Sequence, residues 1–135
     1  VNGFLIDETG EAIARAARSL RKPLLAAFEV EEMQAQCRAK EALCFYGPQG
    51  VLVVSLRPFG ENLELFILMA VVTHHGAIER LEPAVQQLAR DLGAHTIAFE
   101  TRRKGWVRRL DSRWQRRGTL EFMRYVDGWR SRVDP

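Results

Sequence analysis

Four groups of residues in this chain have types and spacings that could do chemistry. Glu64 is the one charge inside the apolar run LELFILMAVV (63–72). His74 and His75 follow that run, and Gly76 precedes a segment with helical periodicity (77–92). Eight basic residues stand against a single acid, Asp111, between 102 and 117. Cys37 and Cys44 are the only cysteines. The turn at 73–76 delivers a helix start to the end of a strand, where free N–H groups and the helix dipole favour an anion. His75, at that helix mouth, is a candidate phosphate contact or proton shuttle. Adjacent in extended backbone, His74 and His75 point to opposite faces, and no Cys or acid stands at ligand spacing, so no metal site is expected. The two cysteines lack CxxC spacing and read as buried thiols in a reducing cytoplasm.

The net charge of +3 is uneven. Residues 1–67 carry seven basic and nine acidic side chains, whereas residues 68–135 carry thirteen and eight. Arg102, Arg103, Lys104, Arg108, Arg109 and Arg113, interleaved with Trp106, form a candidate polyanion surface, since phosphate contacts need clustered Arg and Lys. The competing reading is a solvated basic face, ion-paired to Glu100, Asp111 and Glu121. An acidic protein partner also stays open. No run approaches the roughly 18 apolar residues of a membrane span, and no signal peptide is evident.

These residues need elements to position them. The 63–72 run is too apolar to expose either face and belongs mid-sheet; its carboxylate Glu64 reads as solvated at a strand end or paired with an arginine. Upstream, 8–20 and 29–40 carry helical stripes with Pro23 between them. Residues 42–46 and 51–57 read as a hairpin across Gly47-Pro48-Gln49-Gly50, and 58–62 as a turn into the long strand. After it come the helix 77–92 ended by Gly93, a strand 94–100 parallel to 63–72, a short helix 105–113 and a closing strand 119–126. A short strand or terminal arm precedes all of this (1–7), and the tail 127–135 is expected to fray. No linker or repeat divides the chain, so 1–135 reads as one α/β (α+β) domain.

This element order resembles the GNAT acyltransferase superfamily. The similarity is most specific where GAI…LARDLGA (76–94) keeps the family's glycine-to-LGA distance. The resemblance implies a GNAT-like mixed central sheet with helices on both faces, splayed between 63–72 and 94–101. It also implies an acyl-CoA donor, acetyl-CoA among them, and an amine acceptor. The cofactor would lie along Met69, Val71 and Val72 and over His75, Gly76 and Ala77, with Glu64 as the candidate base. On the family's [Q/R]-x-x-G-x-[G/A] turn, Thr73 stands for the Gln/Arg and Ile78 for the second small residue. The family's tyrosine acid falls on Arg109, which cannot donate a proton near neutral pH. Compact chains of this sort also resemble degenerate GNAT-like proteins of bacteriophages. That implies the alternative of a non-catalytic accessory protein, in host cytoplasm or virion, binding nucleic acid or a protein through 102–117. A homodimer stays open in either case.

Overall fold

A computed structural model describes residues 5–19, 27–48, 50–72, 77–100, 110, 112–118 and 121–127. Among them, three helices pack on a seven-stranded mixed sheet. In chain order the elements are β1 (Leu5–Ile6), α1 (Glu11–Ser19), α2 (Ala27–Arg38), β2 (Leu43–Gly47), β3 (Gly50–Phe59) and β4 (Asn62–Val72). They continue with α3 (Ala77–Asp91), β5 (Thr96–Glu100), β6 (Gln115–Arg117) and β7 (Glu121–Tyr125). The sheet order is β1-β2-β3-β4-β5-β7-β6, antiparallel throughout except for the β4–β5 pair. The mixed α/β sheet with helices on both faces expected from the sequence is the one observed.

The two faces of the sheet bury separate cores, as alternating side chains require. On one face α3 places Leu81, Val85, Leu88 and Ala89 against Phe45, Leu52, Val54, Leu65 and Ile97. On the other, Ile13 and Ala16 of α1 and Met33 and Cys37 of α2 pack on Cys44, Val53 and Met69. At the start of α1, Asp7 accepts hydrogen bonds from the backbone N–H of Ala12 (2.7 Å) and of Thr9 (3.1 Å), satisfying donors the helix leaves open. Burial pushes the Asp7 carboxyl up, and these hydrogen bonds outweigh it, holding the group below its ordinary value. Gly10 follows with a φ of 75°, and a Cβ there would stand 3.1 Å from the Gln34 Cα, so this close approach of α1 to α2 needs glycine.

Three differences from the sequence reading have physical causes. The hairpin between β3 and β4 turns on Gly60 and Glu61 alone, so Pro58, Phe59 and Asn62 of the segment 58–62 expected to be a loop belong to the strands. Pro58 is tolerated because its partner Leu63 turns its backbone the other way, its C=O accepting the His95 N–H at 2.8 Å, so no β3 donor is required there. Pro83 lies in the second turn of α3, exposed, and the helix continues through it. Strand β6 was not expected: Gln115-Arg116-Arg117 has no apolar alternation and is a strand because β7 pairs with it. Most of the expected short helix 105–113 lies outside the described residues, as do 1–4 and the tail from 128; Ser112 and Arg113 form a turn. No described helix is long and apolar enough to cross a membrane.

Candidate functional site

The parallel β4–β5 ladder holds four pairs, Glu64↔Thr96 to Ile67↔Phe99, and stops. Strand β4 continues to Val72, still paired with β3 as far as Gly50↔Val72. Among the described residues, its other edge over 68–72 has no β5 partner. The parting coincides with a β-bulge: Val53 pairs with Met69 and Val54 with Ile67, so Leu68 is an extra residue on β4. A bulge bends and twists its strand, and this one falls one residue past the last β4–β5 pair. Helix α3 then begins at Ala77, bringing its N-terminal end to the same side as the end of β4. This wedge therefore combines a main-chain edge without a strand partner among the described residues and a nearby helix start.

Of the residues expected to line a cofactor, Met69 is buried and Val71 half-buried in the core beneath α1 and α2, leaving only their backbone for the wedge. Val72 closes β4 and Ala77 opens α3. His75 and Gly76 lie outside the described residues, as do Arg102, Arg103, Lys104, Arg108 and Arg109. Arg113 is described, and its guanidinium stands 3.9 Å from Glu82.

Glu64, the candidate base, is fully buried on the face opposite α3 and sits in a closed ring of charges. Its Oε2 accepts from Arg57 Nε at 2.6 Å and from Arg117 Nη2 at 2.9 Å. The same Nη2 lies 2.8 Å from Oε1, which also accepts from the Thr96 hydroxyl at 3.1 Å. Glu121 completes the ring, accepting from Arg57 Nη2 at 2.9 Å and from Arg117 Nε. Burial pushes the Glu121 carboxyl up, and the two guanidiniums more than reverse this, holding it below its ordinary value. The Arg57 guanidinium lies 4.0 Å from the Phe66 ring centroid and that of Arg117 4.7 Å from Phe59. Two arginines laid over this part of the sheet, neutralised by two carboxylates, do the covering that α1 and α2 do elsewhere.

The Glu64 carboxylate thus receives three hydrogen bonds from inside the protein, and its side chain is 1% exposed. A general base must offer a lone pair to the substrate's proton, and at this burial none is offered to solvent. The sequence reading of a carboxylate paired with an arginine describes what the geometry shows. It did not identify Arg57, Thr96 and Arg117 as Glu64's partners, or Glu121 as the second carboxylate of the ring. The Arg57↔Glu64 cross-strand pair was open to discovery from a turn at Gly60-Glu61, which places the two opposite one another.

A second charged group joins α3 to the far strands. Arg124, 1% exposed, donates to Glu82 Oε1 at 2.6 Å, to the Tyr125 carbonyl at 3.2 Å and to Asp127. This holds the α3 face of β7 against the helix. Cys44 and Cys37 are free and buried. Burial first, then the neighbouring Cys37 and Asp7, push the Cys44 thiol up to about 12, which leaves no usable thiolate near neutral pH. Among the described residues no cluster of three or more His, Cys, Asp or Glu is arranged to hold a metal.

No protein-family model and no curated protein sequence matches this chain. Solved structures do. A GNAT-family protein from Desulfovibrio desulfuricans superposes with a TM-score of 0.66 at 14% identity, covering 91% of this chain and 98% of its own. A GNAT-family acetyltransferase from Listeria monocytogenes gives 0.56 at 11% identity, with 91% and 95% covered. The N-acetylglutamate synthase of Neisseria gonorrhoeae, solved with coenzyme A and L-arginine, gives 0.58 at 16% identity over 91% of this chain and 33% of that one. The fold is that of the GNAT acyltransferases.

Proposed function

We propose that this chain is an atypical GNAT-type N-acyltransferase that takes an acyl-CoA in the β4–β5 wedge and an amine on the face opposite α3. The observation that carries the reading is the ladder ending at Ile67–Phe99 beside the bulged Leu68. An acyl-CoA supplies an activated thioester. What the chain offers it is the main-chain edge of 68–72, which has no β5 partner among the described residues and suits an extended amide-bearing arm, and the start of α3, suited to phosphate. Met69 and Val71 direct their side chains into the core, which keeps that edge a backbone surface. His75, Gly76 and Ala77 belong to the segment that would meet the phosphates. Because Glu64 is committed to its ring, the amine's proton goes to solvent rather than to a protein carboxylate. The compartment that fits this reading is the cytoplasm. Calorimetry with acetyl-CoA tests it, with a free-thiol assay for transfer to primary amines. Saturable binding with thiol release supports it, and no heat at millimolar acetyl-CoA refutes it.

A second reading has its own motivation in the locked Glu64 together with Ile78 and Thr73 in the turn pattern. In it the fold is kept as a non-catalytic accessory protein of bacteriophage type, binding nucleic acid or a protein partner through 102–117. A salt-dependent DNA shift abolished by Arg108→Ala/Arg109→Ala/Arg113→Ala, without acetyl-CoA binding, selects this reading.

A further inference from the structure

The place held by the Arg57 guanidinium has the chemistry of a cation receptor. Its floor is the face of Phe66, 4.0 Å away, and its walls are Glu64 Oε2 and Glu121 Oε1, at 2.6 and 2.9 Å. An aromatic face with flanking carboxylates recognises ammonium and guanidinium groups through the ring quadrupole and charge-assisted hydrogen bonds. The charge count points the same way. Glu64, Glu121 and Arg117 alone leave one uncompensated negative charge at a largely buried site, which one monocation fills. Of the four ring members Arg57 is the most exposed, at 38% of its side chain against 27%, 19% and 1% for Arg117, Glu121 and Glu64. It is therefore the member that leaves most easily. Phe66 lies one residue before the last β4–β5 pair, so a group seated on it is about 3–7 Å along the strand from the opening of the wedge.

We propose that this is the receptor for a second cationic group of the acceptor, distinct from the nitrogen that is acylated, and that the chain's own Arg57 plugs it in the free protein. This rests on the acyltransferase reading and adds the substrate class, an amine that also carries a second ammonium or a guanidinium group. That second group is protonated at neutral pH, so exchanging it for Arg57 keeps the site neutral, while the nitrogen to be acylated loses its proton to solvent. Arg117 and Thr96 hold the Glu64 carboxylate in place during the exchange. The internal plug weakens apparent affinity by the fraction of time Arg57 is seated.

The test contains no acyl-CoA, so its failure is distinct from failure of the acyltransferase reading. The wild type, Arg57→Ala and Arg57→Met are titrated with methylguanidinium and with putrescine, with N-methylurea as the neutral control. Binding is followed by thermal shift and by the arginine Nε–H resonances. The expected result is cation-specific stabilisation of the variants at least tenfold tighter than that of the wild type, with no response to N-methylurea. It is lost on adding Glu64→Gln. In the wild type, millimolar putrescine is expected to shift the Arg57 Nε–H signal and to leave the backbone amides of α1 and α2 unmoved. Folded variants that respond equally to cations and to N-methylurea overturn the proposal. So does a wild-type Arg57 signal that stays put while putrescine reaches tens of millimolar. Should Arg57→Ala not fold, Arg57→Met, which keeps an apolar stem over Phe66, and the wild-type titration still decide.

Discussion

Replacing Glu64 by glutamine separates a carboxylate that holds the fold from one that does chemistry. The substitution keeps the side chain's shape and removes its charge. In the native ring Glu64 receives Arg57, Arg117 and Thr96 while fully buried. Breaking a buried ion pair by removing one partner typically costs 3–5 kcal/mol. Here Arg57 is 38% and Arg117 27% exposed, so both rehydrate in part, and both keep Glu121. The low end, about 3 kcal/mol, is therefore expected, and for a urea m-value of about 2 kcal/mol/M it lowers the unfolding midpoint by about 1.5 M. Urea titration followed by circular dichroism reads this directly. A double-mutant cycle with Arg57→Ala is expected to show strong coupling, because the first change removes most of what the second would lose. A midpoint within about 0.3 M of wild type at unchanged m would refute the structural assignment and return Glu64 to candidacy as a base.

Two further outcomes follow from the same electrostatics. Glu121 is held below its ordinary value of 4.5, so its contribution is fully present above that pH and is lost as pH falls through the lowered value. Acid unfolding below about pH 4.5 should be shallower in Glu121→Gln, measured as midpoint against pH. Cys44, pushed up to about 12, should resist a disulfide reagent at pH 8 in the folded protein and react at least about 100-fold faster in denaturant. Equal rates in the two states would place the thiol outside the core.

The sequence carried the β4–α3–β5 unit because its signals are local. The apolar run 63–72 could only be mid-sheet, and the helical stripe from Ile78 to Leu92 had to cover one face. The GAI…LGA spacing then pointed to the fold. The charged ring was not legible in the same way. Arg117 meets Glu64 across 53 residues of chain, through a three-residue strand with no apolar alternation, and only the pairing of β6 with β7 brings them together. Arg57↔Glu64 was obscured by treating Pro58 as a turn residue, although its missing N–H faces no β3–β4 hydrogen bond. The bulge at Leu68 carries no residue signature either; an extra leucine in a run of apolar residues looks like its neighbours.

Whether the wedge beside Leu68 receives an acyl-CoA is tested most directly by amide chemical shifts during an acetyl-CoA titration. The account predicts saturable shifts concentrated at residues 68–72 and at the start of α3, with the β1–β2 amides unmoved. No shifts at millimolar acetyl-CoA, or shifts centred away from the wedge, would contradict it.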